Sequence, residues 1–309
     1  MSRRDRAEDV VVGVDGHSAS LAAVEWAAAE AASRKTPLRI VHAMSCPVPP
    51  DVYGVLVPFD DIGAAREAAD QVLCAAASRA VRIASDLPVS THLACGAAGP
   101  TLIDWSREAA LLVVGASGRR RTGRTCGLAA RLVDRARSAV AVVHPREVRR
   151  RAAVGPRVVL GLNGSGRATP VVRAAFRAAA QRGLPLAVVH AHRPRAPHTG
   201  VDTWATTASH GIERALHGGR LEFPEVPVSV CIDTVDPVEA LSARAVDAAL
   251  VMVGSNAPWG VPTTHSRSIG CRLLERVAAP VVVVPRRASR GGEPTGPDPA
   301  PALLGLLDR

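Results

Sequence analysis

The sequence predicts an α/β protein made of two tandem copies of one doubly wound, parallel five-stranded sheet domain. Three observations carry this prediction. The chain has 309 residues, about twice the ~150-residue scale of a common single domain. Short Val/Ile/Leu runs without polar alternation, the pattern of parallel strands covered on both faces, alternate with Ala-rich segments of helical length. Finally, the chain repeats itself. VVVGVDGHSAS (10–20) aligns with VVLGLNGSGRA (158–168), which places Asp15-Gly16 on Asn163-Gly164. The same offset of 148 sets Pro37 on Pro185 and His42 on His190. LLVVGASG (111–118) then matches LVMVGSNA (250–257) at an offset of 139, so the second copy is nine residues shorter there. SAVAVVHP (138–145) and APVVVVPR (279–286) close the two units.

Taken in order, the first copy has strands at Asp9–Val14, Leu38–Ala43, Val89–Ala94, Leu111–Gly115 and Val140–His144. Helical segments Ser20–Arg34 and Ala64–Ser85 lie between them. In the second copy the strands are read at Arg157–Leu162, Leu186–Ala191, Val228–Ile232, Leu250–Gly254 and Val281–Val284. Such alternation implies right-handed crossovers and parallel strands. The domains are expected at 1–146 and 157–286, joined by a charged linker at 147–156 that ends in Gly-Pro. The Pro/Gly-rich stretch 287–309 reads as a disordered tail.

Composition narrows the function classes. Hydrophobic residues make up 47% of the chain, but aromatics only 3%, so Ala and Val do most of the packing. Few aromatics argue against single-strand or RNA readers, which stack bases on aromatic platforms. The net charge is +10, and Lys35 is the single lysine among 38 basic Lys and Arg residues. An arginine bias this complete is read as composition; it argues against nucleic acid as the principal partner, although a basic surface can hold polyanions without sequence specificity. No run approaches the ~20 apolar residues of a membrane span, and the N-terminal stretch lacks a signal-peptide core. The six cysteines form no CxxC pair and are expected to be buried reduced thiols. The expected setting is cytoplasmic.

In an open parallel sheet, ligands bind beyond the carboxyl ends of the strands, where the strand order reverses. Two loops per copy have suitable composition, as the first copy illustrates. Gly13-Val14-Asp15-Gly16 leads into a helix with Ser18 and Ser20 near its start, and Gly115-Ala116-Ser117-Gly118 precedes RRRTGRTCG and another helix. Glycines admit backbone N–H groups close to phosphate oxygens, and a helix N-terminus adds partial positive charge.

VVGVDG…S before an Ala-rich helix, PLRIVHA, LLVVGASG and the closing AVAVVHP together resemble the universal stress protein family in its tandem two-domain form. The resemblance covers essentially all of residues 8–286. It implies an adenine nucleotide alpha hydrolase-like fold with strand order 3-2-1-4-5, and ATP or another adenine nucleotide in some members. Other members bind no nucleotide and act as dimeric stress-response modules.

The resemblance also implies site residues: an Asp after strand one, backbone after strand two at the adenine, and Gly-x2-Gly-x9-Gly-(Ser/Thr) after strand four. The first copy matches Asp15, Gly115 and Gly118, and places Ala43 at the adenine. After nine further residues beginning at Arg119 come Leu128-Ala129 where Gly-Ser is expected; a one-residue slip supplies Gly127. In the second copy Asn163 stands for the Asp and Gly254 is kept. Ala257 replaces the second Gly, Ala191 takes the adenine place, and Arg267-Ser268 stands at Gly-Ser. Neither copy carries the full signature. Arg119, Arg120, Arg121 and Arg124 offer the first copy a guanidinium route to phosphate; an exposed basic loop is the plainer reading.

No catalytic residue and no metal site is assigned. The histidines form neither HxxxH nor HExxH, Ser18 and Ser20 lack an elbow context, and no Walker loop exists. Asp60-Asp61, Asp233 and Asp236 are read as loop or helix-capping acids, and His42 and His190 as residues closing strand two. The leading expectation is a non-catalytic stress-response module whose degenerate ATP pocket is more complete in the first copy. The two copies are expected to pair as an intrachain pseudo-dimer through 140–144 and 281–284, with room for a further homodimer. The alternatives are a slow ATPase or adenylate-handling enzyme using Asp15, and a nucleotide-free regulatory scaffold.

Overall fold

The computed structural model describes residues 9–44, 59–116, 127–145, 155–162, 169–191, 201–255 and 268–285. Strands β1 (Val10–Val14), β2 (Leu38–Met44), β3 (Val89–Cys95), β4 (Leu111–Gly115) and β5 (Ala139–Val143) belong to the first half. Strands β6 (Arg157–Leu162), β7 (Leu186–Ala191), β8 (Val228–Asp233), β9 (Ala248–Gly254) and β10 (Val281–Val284) form the second. The helices are α1 (Ser18–Arg34), α2 (Phe59–Ile83), α3 (Ala98–Trp105) and α4 (Gly127–Arg135), then α5 (Thr169–Arg182), α6 (Val201–Glu222), α7 (Pro237–Arg244) and α8 (Ile269–Leu274).

The strands form one ten-stranded sheet in the order β3-β2-β1-β4-β5-β10-β9-β6-β7-β8. Each half is parallel and has the doubly wound order 3-2-1-4-5 expected of it. The halves meet where β5 and β10 pair antiparallel, with Ala141 opposite Val282, Val142 opposite Val281 and Val140 opposite Val283. Ala141 and Val282 are equivalent residues of the repeat. A pairing centred on equivalent residues is what a local two-fold axis requires.

Alternating side chains split each strand between two apolar layers. Val10, Val12 and Val14 face a core shared with α1, α2, α5 and α6, whereas Val11 faces one shared with α3, α4, α7 and α8. Both layers run unbroken across the β5–β10 pair. With so few aromatics, alanines let helices approach closely: Ala23, Ala27, Ala28 and Ala31 of α1 are fully buried. Helix α1 ends on Lys35 in the left-handed region (φ 55°), where the second half has Gly183 (φ 59°). That conformation suits glycine better than lysine. Pro37 and Pro185 follow two residues later and prevent either helix from continuing.

Strand ends differ from expectation by a residue or two. β5 stops at Val143 because His144 turns away, its Nε2 donating to the Leu274 carbonyl of α8 at 3.0 Å. Helix α2 starts at Phe59, five residues before its expected start, so Asp60 and Asp61 lie in its first turn. The linker core 146–154 and the tail from 286 lie outside the described residues. The cysteine expectation is corrected. Cys95, at the end of edge strand β3, is disulfide-bonded, whereas Cys74, Cys231 and Cys271 are free. Only Cys271 of those three is buried, and Cys74 is exposed. Cys74 on the outer face of α2 and Cys95 and Cys231 on the edge strands lie outside the fully buried core, and with Cys95 in a disulfide the cysteine usage no longer argues for a reducing compartment. Among the described residues, no helix is long and apolar enough to cross a membrane.

Phe176 of α5, the largest fully buried side chain among the described residues, lies against Gly219 of α6, where a Cβ would come within 2.3 Å of its ring. At the neighbouring Gly218 a Cβ would meet nothing within 4 Å. Gly219→Ala should therefore lower stability by about 1–3 kcal/mol through overpacking. Gly218→Ala should raise it by about 0.5–1 kcal/mol, because an exposed helix interior favours alanine. Urea unfolding of the two variants checks the opposite signs.

Candidate functional site

Strand register gathers three of the sequence-predicted residues of the first half at one edge of the sheet. Val14 is opposite His42, and Gly13 is opposite Val114. Asp15, Ala43 and Gly115 therefore stand at the carboxyl ends of the adjacent strands β1, β2 and β4. The order reverses between β1 and β4, the crevice where doubly wound sheets bind ligands. His42 holds this edge together: its Nδ1–H donates to the Val14 carbonyl at 2.8 Å. The second half repeats the device, with His190 Nδ1–H donating to Leu162 at 2.9 Å.

The turn after β1 is organised around Asp15. Its Oδ1 accepts from the His17 N–H at 3.0 Å, its own N–H donates to Ser20 Oγ at 3.3 Å, and the Ser20 hydroxyl donates to the His17 carbonyl at 2.9 Å. Ser20 is buried and belongs to this turn, so its hydroxyl is structural. Partial burial pushes the Asp15 pKa up, but the hydrogen bonds from Ser20 and His17, with the charge of His17, outweigh it and hold the carboxyl below its ordinary value. Asp15 is thus an exposed anion at the mouth of α1. Sequence reasoning missed His17, whose ring nitrogen lies 3.4 Å from Asp15 Oδ1.

Gly115 has a packing reason for lacking a side chain. A Cβ there would lie 2.5 Å from the backbone of Ala19 and 2.7 Å from the Ser20 nitrogen, so strand β4 ends directly against the first turn of α1. Its counterpart Gly254 is under no such constraint, the nearest atom to a Cβ being Val171 Cγ1 at 3.6 Å. Gly127 opens α4, and a Cβ there would meet nothing within 4 Å among the described residues. Leu128, which stands at the expected Gly position, is half-buried and packs on the core beneath α4. Gly118 and Arg119 to Arg124 lie outside the described residues, as do Asn163 and Ala257.

In the second half, Ala191 closes β7 opposite Asp233, whose carboxylate pairs with Arg244 at 2.8 Å. Asp236 caps α7, accepting from Val238 N–H at 2.9 Å, and also holds Arg272 at 3.0 Å. The hydroxyl of Ser268 is engaged. It caps α8 through the Cys271 N–H at 3.3 Å and donates to Asp134 Oδ1 of the first half at 3.4 Å. Burial raises the Asp134 pKa, against the smaller opposing effects of Ser268 and Arg135. Among the described residues, no group of three or more His, Cys, Asp or Glu could hold a metal ion.

Two outcomes follow from this geometry. Gly115→Ala should displace the start of α1 and cost about 1–3 kcal/mol, whereas Gly254→Ala should stay within about 0.5 kcal/mol of the parent; thermal melts compare them. Asp134 has a folded pKa above its unfolded value, so its contribution to stability is present below the unfolded pKa and lost as the pH rises through the folded one. Asp134→Asn removes that loss, and the variant should gain stability relative to the parent between acid and neutral pH, read from melts across that range.

The profile of the universal stress protein family matches residues 7–144 and 156–285. Universal stress protein Rv2005c of Mycobacterium tuberculosis is 30% identical over 303 residues, covering 92% of this chain and 99% of the relative. Universal stress protein Rv2623 of the same organism is 30% identical over 298 residues, covering 92% and 98%. The crystal structure of a universal stress protein from Archaeoglobus fulgidus superposes with a TM-score of 0.68 at 15% identity, over 90% of this chain and 98% of that one. That likeness concerns the fold. With two matched copies, near-complete coverage of both relatives and the 3-2-1-4-5 order in each half, this chain belongs to the universal stress protein family in its tandem form.

Proposed function

We propose that the chain is a non-catalytic stress-response module that takes an adenine nucleotide, ATP, in its first half and holds it weakly. The observation that carries this reading is the convergence of Asp15, Ala43 and Gly115 on the switch-point crevice of β1, β2 and β4. Ala43 would offer backbone to the adenine, Asp15 would face the sugar and phosphate side, and Gly127 would leave open backbone at the start of α4. Gly118 and Arg119 belong to the same loop by sequence and would complete the phosphate end. In the second half Ala191, Gly254 and Asn163 form the weaker counterpart, because Ser268 already spends its hydroxyl on α8 and Asp134.

Asp15 suits a positioning role better than proton transfer. Its lowered pKa makes it a poor base near neutral pH. In this reading the domains are 1–146 and 157–286, and they form an intrachain counterpart of the dimers in which single-domain chains would pair. The protein would work in the cytoplasm.

Native mass spectrometry of the purified chain titrated with ATP tests the proposal. One nucleotide per chain is expected, lost in Asp15→Ala, with phosphate release at the buffer rate. Two nucleotides per chain, or one that survives Asp15→Ala, would overturn the site. Phosphate release that Asp15→Ala abolishes would overturn the non-catalytic role.

A further inference from the structure

On one face of the β5–β10 pair, helices α1 and α5 approach each other, and Glu30 of α1 lies between them. Its side chain is 2% exposed, a costly place for a carboxylate unless cations hold it. Two arginines do so. Arg34, one turn on in α1, donates from Nε to Glu30 Oε1 at 2.7 Å, and Arg182 of α5 donates from Nη2 to Oε2. The second contact crosses from one half of the chain to the other. Arg182 also donates to the Ala178 carbonyl at 3.1 Å, which fixes its stem along α5.

The repeat gives this cluster its meaning. At the offset of 148, Arg34 and Arg182 are equivalent residues, whereas Glu30 is equivalent to Ala178. Ala178 is buried too, with 4% of its surface exposed. The two halves therefore bring two guanidiniums and one carboxylate to the seam, and a single glutamate serves both. We propose that Glu30 makes the seam specific for unlike halves: the partner surface that fits the first half has arginine at the position of Arg34 and a small residue at the position of Glu30.

The reasoning is that of partner discrimination by unpaired charge and by crowding. Two copies of the second half would place two guanidiniums in the seam with no carboxylate. Two copies of the first half would place two carboxylates where the structure accommodates one and an alanine. Only the unlike pair has one acceptor shared by two donors. The inference concerns the seam alone and does not depend on nucleotide binding.

Both like-with-like seams can be built inside the full chain. Glu30→Ala reproduces the seam of two second halves, and Ala178→Glu that of two first halves. The double variant Glu30→Ala/Ala178→Glu moves the single carboxylate to the equivalent position. Each single variant is expected to lower Tm by roughly 5–10 °C, the scale of breaking or overloading a buried ion pair. The double variant is expected to recover at least half of the loss caused by Glu30→Ala. Recovery on moving a charge to its equivalent place is an outcome that mere loss of packing would not produce. A single variant that melts with the parent, or a double variant no more stable than Glu30→Ala, would overturn the proposal. Glu30→Gln, which keeps the side-chain volume, separates charge from shape; a Tm equal to that of the parent would likewise count against it.

Discussion

The antiparallel pairing of β5 with β10 is the constraint on which the rest of the molecule depends, because each of these strands closes a half that is otherwise parallel and complete. Left unpaired, Ala139–Val143 and Val281–Val284 would be apolar strand edges, open to any other strand. Paired, they turn two five-stranded sheets into one sheet of ten and make both helical layers continuous. Each face then has its own contact across the seam. Glu30 bridges Arg34 and Arg182 on one face; on the other, α4 and α8 pack, with Asp134 accepting from Ser268 and Leu274 accepting from His144.

The halves are similar in fold and unequal in chemistry. Gly13 and Gly161, His42 and His190, and Leu102 and Leu241 do the same work in each: glycine admits the leucine beneath it, and histidine ties the end of strand two to that of strand one. Differences occur at the mouth of the crevice, at the seam and at the outer edges of the sheet. His92 of β3 lies against Trp105 of α3 with ring centroids 4.8 Å apart and the planes tilted by 46°, and at the equivalent positions of the second half Cys231 contacts Arg244. Such substitutions keep the backbone scaffold while changing what each half presents, as expected when function is grafted onto a fold.

The candidate site was partly legible in sequence. The strand ends that carry Asp15, Ala43 and Gly115 could be located because a strand's carboxyl end is set by where its apolar run stops, and the repeat marked those ends twice; the place of Ala43 at an adenine came from the family resemblance. Other features were invisible there. Gly115 reads as a phosphate-approach glycine, yet a Cβ there would come within 2.5 Å of the α1 backbone. Leu128 reads as an obstruction, yet it packs on the core because its place on α4 turns it inward. Ser268 reads as a retained phosphate hydroxyl, yet it is shared between a helix cap and Asp134. In each case the deciding neighbour is more than a hundred residues away or on another element.

Local pattern by itself determined the fold class, the two copies and nearly every strand, because apolar runs, Ala-rich helices, the glycine or lysine at a helix end and the proline after it act within a few residues. The cysteines mark the limit of that reading: scattered spacing suggested reduced, buried thiols, whereas Cys95, at the end of an edge strand, is disulfide-bonded. The closing strands were expected to pair because their apolar edges need covering, but only the tertiary structure decided the antiparallel register of that pair and which charges the copies share. Glu30 and Arg182 are 152 residues apart, and nothing in the spacing of either shows that they touch. A buried carboxylate is tolerated only where cations enclose it, and that enclosure exists once β5 and β10 have brought α1 and α5 together.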